Sequence, residues 1–513
     1  MMLKTVFLSK CLLFVFLVNL QSQKIYQLDI EKSIEIAKSQ SFTMRLLKQD
    51  LENAKYDLKA ATSQYKTHVN LNFTAPDYSE TIRQYEDSSG INFYPVEQLY
   101  YSSDLTINQP LPTDGNIFIR SGFYNTDDYD REEKYLRFNT KLGFEQPIEA
   151  FYAYNRIQSE FKQAELNYEK TQKMFKRAEL NIIYEVSRAF YNLLSAKKKE
   201  EIAVQALNRQ LESYEIAQNK YEAGLIREVE AMQMEVDLGQ ARNEFDLAKV
   251  DYNTKANYFK QYLGLSLEDS IVLDSELDYQ VIEVDPEFAI NHGLENRTEL
   301  DEHEINIELS EINLKRIKSR GMINGDISAY YDLIGVDENP LPIAINDAFQ
   351  ETWDVLVSRP GNFGVALTLS IPLIDWGENK ARTNAAEAIL KKSRIRLEEE
   401  RVNIQREIIN TVNQLQSSLR RLQLLEKNLD IAKRSFEISQ ARFISGDINS
   451  ETLALDRERL NRANLSYLEA FISYKLLAAD LMRKTFYDFE TNQSVFEQET
   501  TLNSELELNS ETE

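Results

Sequence analysis

Two long stretches without proline constrain this chain most. Pro147 and Gly224 are 77 residues apart, and Pro372 and Gly446 are 74 apart, with no proline inside either interval. At ~1.5 Å per residue, each stretch is expected to form a helix about 110 Å long, or two coaxial pieces. Apolar residues recur at helical spacing: Ile183, Val186, Phe190 and Leu193 in the first stretch, and Ile408, Val412, Leu415, Leu419 and Leu422 in the second. Most other positions are Glu, Lys, Arg, Gln and Asn, so each helix buries a stripe, as in coiled-coil packing. Gly (15) and Pro (10) are scarce among the 513 residues, which leaves few turns and long elements.

The two stretches belong to a duplication. Asp29 begins Asp-Ile-Glu-Lys-Ser-Ile and Asp285 begins Asp-Pro-Glu-Phe-Ala-Ile, each reading as an N-cap before a helix, with Pro286 at the first helical position. At this offset of 256, Ile34 meets Ile290, Met44 meets Leu300, Leu51 meets Ile307 and Leu58 meets Leu314. Pro147 aligns with Pro372 at an offset of 225, and Tyr221-Glu222-Ala223-Gly224 with Phe443-Ile444-Ser445-Gly446 at 222. Three ordered anchors sharing one helical phase point to an internal repeat. The fall from 256 to 225 gives the first copy about 31 extra residues before Pro147. Each copy reads helix, strands, long helix, Gly turn, long helix.

Charge and composition exclude several classes. There are 59 Lys+Arg against 83 Asp+Glu, a net charge of −24. Loss of Lys4 and Lys10 with a leader makes it about −26. Nucleic acid needs a basic face, which this balance argues against. Three histidines (His68, His292, His303) and one cysteine (Cys11) argue against metal, disulfide or thiol chemistry, and no cofactor is expected. Lys4 and Lys10 precede the apolar run Cys11–Val18, the pattern of a secretory signal over residues 1–22. Eight apolar residues are too few for a membrane anchor, which needs ~20. Cys11 precedes the run, where a lipidated cysteine would follow it. No other stretch reaches ~18 apolar residues, so a membrane would be crossed by strands rather than helices.

Strand candidates lie between the helices. His68–Phe73, Leu136–Phe144, Asp326–Leu333 and Gly364–Ile371 alternate apolar and polar residues, the period of a transmembrane β-strand. A soluble, half-buried sheet gives the same pattern. Tyr78 to Tyr94, and Gly335 to Phe363 with Trp353, read as polar and aromatic connections. Pro112-Thr113-Asp114-Gly115 marks a hairpin turn within the extra segment near 103–134, which either adds strands to the sheet or sits at its rim. The expected division is a signal peptide at 1–22, a first repeat at 23–275, a second at 276–487 and an acidic, disordered tail at 488–513. That tail has eight acids and no Lys or Arg.

Two copies of this order behind a signal peptide resemble the TolC family of outer-membrane efflux proteins. Leu367–Gly377 resembles the family's strand-to-helix junction, and Arg297-Thr298-Glu299-Leu300 is similar to its helix start. Tyr221–Ile226 and Arg442–Gly446 resemble its helix-turn tips. The resemblance covers about residues 25–487. It implies a mainly α chain with a β portion, in which a long α-helical periplasmic barrel joins a transmembrane β-barrel shared by three chains. Four strands from one chain cannot close a barrel, and lipid tolerates no open edge, whereas three chains supply twelve strands.

The resemblance further implies a homotrimer in the outer membrane, in contact with its lipid. It would export drugs, metals or polypeptides with a periplasmic adaptor (membrane-fusion) protein and an inner-membrane pump of RND, ABC or MFS type. Adaptor contact falls on Ala223, Gly224 and Leu225 and on Ser445, Gly446 and Asp447, where the acid after the Gly departs from the usual pattern. Constriction acids map to Glu230, with Glu451 and Asp456 the nearest acids in the second copy; a solvated helix face is the plainer reading for all three. Pro147, Pro372 and Gly377 mark the strand-to-helix junctions. The alternatives are a non-channel periplasmic coiled-coil scaffold and an exported enzyme using paired carboxylates, for example a glycosidase. The latter has no support beyond abundant acids.

Overall fold

The computed structural model describes residues 24–495, apart from 89, 130–132, 274–276 and 337–344. The expected signal peptide and residues 496–513 of the expected tail lie outside the described residues. The chain divides into two compact units that cut across the repeats. Residues 50–172 and 301–398 form one unit; the remainder forms the other.

The duplication is visible element by element. Helices α1 (Ile30–Gln40) and α2 (Phe42–Ser63) recur at an offset of 256 as α5 (Pro286–Asn296) and α6 (Thr298–Ser319). Helix α3 (Arg156–Glu222, 67 residues) matches α8 (Glu378–Ser445, 68 residues), and α4 (Glu228–Leu263) matches α9 (Ser450–Thr485). Both expected N-caps form: Asp29 accepts from the Lys32 N–H at 2.7 Å and Asp285 from the Glu287 N–H at 3.1 Å. Bonds from the Lys32 backbone and side chain hold the Asp29 carboxyl below its ordinary value.

In the helical unit the buried seam is a heptad. Ile408, Leu415, Leu422, Leu429, Phe436 and Phe443 recur every seven residues along α8 and are all buried. Leu453, Leu460, Tyr474 and Leu481 repeat the spacing on α9. A seven-residue period underwinds the 3.6-residue helix and imposes a left-handed supercoil. Leu429, Phe436 and Phe443 pack with Leu453 and Leu460 in one cluster. A two-stranded parallel sheet, β1 (Ile25–Leu28) with β6 (Ser270–Leu273), lies in this unit. Residues 488–495 of the expected disordered tail are ordered. Gln493–Ser494 (β10) pairs with Tyr487–Asp488 (β9), and Val495 is buried against Leu180, Ile183 and Phe486. Phe489 also meets Phe288 edge-on at 6.2 Å, and Glu490 pairs with Lys475 at 2.8 Å, so apolar and charged contacts both anchor this segment.

The other unit holds a six-stranded antiparallel sheet. Its strands are β2 (His68–Asp87), β3 (Gly90–Pro110), β4 (Asn116–Asp128), β5 (Glu133–Pro147), β7 (Asn324–Val336) and β8 (Asn362–Ser370), in that spatial order. Among the described residues four strands come from the first copy and two from the second, so the extra segment adds strands and the expected four per chain becomes six. Tyr78–Tyr94 is not a connection: β2 and β3 continue through it, paired from His68↔Asn108 to Asp87↔Gly90. The Gly335–Phe363 segment carries a helix, α7 (Ile345–Ser358).

Candidate functional site

Cross-strand register defines the two faces of the sheet. Phe73 lies opposite Ser103, Ser103 opposite Phe123, Phe123 opposite Phe138, and Phe138 opposite Gly335. Counting by twos, the same face carries Val69 and Leu71, Leu105 and Ile107, Ile117 and Ile119, Leu142, Ile327, and Val365, Leu367 and Leu369, all exposed except the half-buried Ile107. The opposite face carries Asn70 and Asn72, Asp104 and Thr106, Arg120, Asn139 and Lys141, Asp326 and Ser328, and Thr368. Phe118 is an exception on the polar face, and it lies over the bare Cα of Gly143. Water on one side and hydrocarbon on the other explain a sheet so divided.

Helix α7 covers one end of the apolar face. Phe349 stacks on Phe123 at 5.4 Å and meets Phe138 edge-on at 4.9 Å, and Trp353 meets Phe138 at 6.4 Å. Gly335 lets the α7 backbone approach, since a Cβ there would strike the Thr352 carbonyl. Trp353 and Val357 stay exposed beside Asp347, Glu351 and Asp354, a composition that suits a membrane interface.

The strand-to-helix junctions differ in detail from expectation. Pro147 ends the β5 ladder opposite Asp326, but α3 starts only at Arg156. Pro372 follows β8, and α8 starts at Glu378. Neither proline opens a helix, because other residues supply the caps. Asn155 accepts from the Gln158 N–H at 2.9 Å. Asp375 accepts from the N–H groups of Asn379 at 2.9 Å and Gly377 at 3.0 Å, and these bonds hold its carboxyl below the ordinary value. Trp376 (φ 52°) and Gly377 (φ 86°) turn the chain through the left-handed region just before α8.

In the helical unit both expected tips form the same turn. Gly224 (φ 69°) donates to the Tyr221 carbonyl and Leu225 to that of Lys220, each at 2.8 Å. Gly446 (φ 84°) donates to Phe443 at 3.1 Å and Asp447 to Arg442 at 2.9 Å. Both are Schellman caps, and nothing lies within 4 Å of either Cβ position, so backbone conformation alone requires the glycine. Ala223, Gly224, Leu225, Ser445, Gly446 and Asp447 are all exposed. The structure brings the two tips together around a cleft of about 760 Å³ lined by Leu225, Glu230, Ser445, Gly446 and Asp447. Lys220 ties the copies: its Nζ donates to the Phe443 carbonyl at 2.8 Å and sits 4.5 Å from that ring.

The three acids fall in different settings. Glu230 is half-buried and pairs with Arg227 at 2.9 Å. Its counterpart Thr452 is held by the N-cap Asn449. Glu451 is exposed and borders a cleft with Asp237, Arg457 and Glu458. Asp456 is buried between α8 and α9, where it accepts from Ser439 and pairs with Arg459 at 2.9 Å. That packing leaves Asp456 committed to its own chain. Arg457 pairs with Asp237 at 3.2 Å across α9 and α4.

Sequence reading singled out Arg297 and Glu299 only as a resemblance. They form a partly buried cluster in which Arg297 binds Glu299 at 2.6 Å and Glu407 at 2.9 Å. Burial opposes the charge on Arg297, and the Glu299 and Glu407 carboxylates outweigh it and push its pKa up. Burial likewise opposes the charge on Glu299, and Arg297 outweighs it, so Glu299 titrates lower than usual.

A duplicated chain with paired long helices, exposed glycine tips and an amphipathic antiparallel sheet has the build of an outer-membrane channel. The sequence profile of the outer membrane efflux protein family matches residues 121–265 and 357–483, just over half of the chain. No curated protein sequence matches. Among solved structures, the fold is similar to CusC (12% identity, 89% of this chain and 91% of that one, TM-score 0.64). It is also similar to the CmeC outer membrane channel of Campylobacter jejuni (12%, 89% and 85%, 0.66) and to VceC of Vibrio cholerae (13%, 90% and 96%, 0.65). The chain belongs to the outer membrane efflux protein family, whose members are channels rather than enzymes.

Proposed function

We propose that three copies of this chain form an outer-membrane conduit that exports solutes from the periplasm. An adaptor protein engages the Gly224 and Gly446 tips, and an inner-membrane pump supplies the cargo. The observation that carries this reading is the six-stranded sheet, apolar on one face and polar on the other, with β2 and β8 at its edges. Lipid does not tolerate open edges and water does not tolerate a broad apolar face; a closed ring of copies in the membrane pairs the edges and turns the apolar face to hydrocarbon. The same exposed face counts against a soluble coiled-coil scaffold, which would aggregate through it. Glu230 and Glu451 are the acids that remain available to line the narrow end.

The test is reconstitution. Protein extracted from outer membranes should scatter light as a trimer in detergent and conduct in planar bilayers. Glu230→Gln with Glu451→Gln should change conductance and weaken block by multivalent cations, because three copies concentrate the carboxylates on one axis. A stable folded monomer would overturn the conduit. Unchanged cation sensitivity in the double variant would remove these acids from the pore.

A further inference from the structure

We infer that the β3–β4 hairpin is built into the barrel wall, so that the trimer closes eighteen strands rather than the twelve expected from four per chain. This rests on the trimeric reading above.

The hairpin occupies the middle of the sheet. Strand β3 pairs with β2 on one side and β4 on the other, and β4 pairs in turn with β5. The β3–β4 ladder runs unbroken from Gln98↔Asp128 to Pro110↔Asn116. A hairpin at the rim would leave β2 and β5 paired to each other; here β2 reaches β5 only through the hairpin. The hairpin also obeys the sheet's two-sided pattern. Leu105, Ile107, Ile117 and Ile119 lie on the apolar face, and Thr106 and Arg120 on the polar one.

Six strands close as well as four. An even number leaves the edge strands antiparallel, so β2 of one copy can pair with β8 of the next in a head-to-tail ring. The edges match in face, since Val69, Leu71 and Phe73 project on the side of Val365, Leu367 and Leu369. They also match in length. Strand β8 has nine residues, and nine residues of β2 run from His68 to Pro76. There proline removes a donor and the register shifts between Thr74 and Asp77. A proline and a bulge end an edge ladder at that point.

The hairpin turn is fitted to the helix that follows β5. Asp114 accepts from the Arg156 N–H at 3.1 Å and pairs with its guanidinium at 3.2 Å. The Pro112 carbonyl accepts from Asn155 at 2.8 Å and Gln158 at 3.0 Å, and the Thr113 carbonyl from Gln146 at 2.7 Å. Each chain thus seats six strands on four helix connections, and this turn fills the place where no helix joins. With strands ~4.8 Å apart and tilted ~40°, twelve strands give a backbone diameter of roughly 24 Å and eighteen roughly 36 Å.

The test is cysteine labelling of the intact trimer in nanodiscs; Cys11, the only native cysteine, lies in the expected signal peptide. Thr106→Cys and Arg120→Cys should react with a charged, water-soluble maleimide. Ile107→Cys and Ile119→Cys should react at least about tenfold more slowly, because charge does not enter hydrocarbon readily. Cryo-electron microscopy of the same particles should count eighteen strands. A trimer whose four variants react equally, or whose wall has twelve strands with the hairpin outside, overturns the inference and leaves the conduit standing. A preparation that is not trimeric by light scattering overturns both.

Discussion

Gly264 should tolerate alanine far worse than Gly446, although both end a long helix in the same left-handed cap. Gly264 (φ 76°) donates to Gln261 at 3.1 Å and Leu265 to Lys260 at 2.9 Å, which repeats the tip geometry. The surroundings differ. A Cβ on Gly446 meets nothing within 4 Å, so alanine there carries only the left-handed backbone term of roughly 1–2 kcal/mol. A Cβ on Gly264 would stand 2.6 Å from the Gln40 carbonyl oxygen and 3.3 Å from the Ser41 Cα, at the break between α1 and α2. Those atoms are backbone and cannot rotate away, which adds an overpacking cost of roughly 1–3 kcal/mol. Gly264→Ala is therefore expected to lose about 2–5 kcal/mol in all. The assay is denaturant unfolding followed by circular dichroism, at fixed protein and detergent concentration. Equal midpoints for Gly264→Ala and Gly446→Ala would refute the steric part of the argument.

Three further outcomes are expected. Leu367→Arg, on the apolar face of β8, should cost about 2–4 kcal/mol and lower the trimer yield, whereas Thr368→Arg on the polar face should assemble normally; equal yields would reverse the face assignment. Asp114→Ala removes an acceptor and a charge from the start of α3, and should lower apparent stability by about 1–2 kcal/mol without changing the oligomeric state, as read by thermal melts. Glu299 titrates below the reference value of 4.5 in the folded chain, so its contribution to stability is present at neutral pH and is lost as pH falls through its folded value. Glu299→Gln should therefore be less stable than the parent at pH 7 and show a flatter decline on acidification, and parallel acid-unfolding curves would refute this.

What the sequence revealed, and what it hid, follows from how strongly each element depends on local residues. The tips were legible because a left-handed cap needs Gly and the two copies place it at the same offset. The strands nearest the helices were legible because their alternation is strict, as in Val69, Leu71 and Phe73. The far halves of β2 and β3 were not. There Tyr78 donates to Glu97 at 2.7 Å and Arg83 to Gln98 at 3.3 Å, so polar pairs hold a ladder that hydropathy cannot detect. Junction caps were also hidden, since Asn155 and Asp375 are two polar residues among many, while Pro147 and Pro372 are conspicuous. Asp456 shows the converse case. Its position after the tip marks it as a candidate pore acid, and its contact with Ser439 adds a packing role that spacing does not show.

At the fourth helix end the two copies keep the backbone conformation and differ in side chain. At an offset of 222, Gly264 corresponds to Phe486, which adopts the same left-handed conformation (φ 60°) without the freedom of glycine. Its N–H donates to Met482 at 2.8 Å, and its ring is buried with Leu180, Ile183 and Val495. Burying a Phe ring is worth about 3 kcal/mol or more, which exceeds the roughly 1–2 kcal/mol of left-handed strain. In the first copy the Gln40 carbonyl fills the corresponding space and forbids any side chain. In the second copy the Phe486 ring packs with Val495, whose N–H donates to the Phe486 carbonyl at 3.1 Å, so the β9–β10 hairpin closes over the ring. Phe486 thus holds the short ordered segment after α9 together with the Phe489–Phe288 contact and the Lys475–Glu490 pair. Phe486→Gly should relieve the strain, lose the ring, and release the hairpin to proteolysis before the helices unfold. A hairpin that stays protected in that variant would show that β9 and β10 hold without the ring.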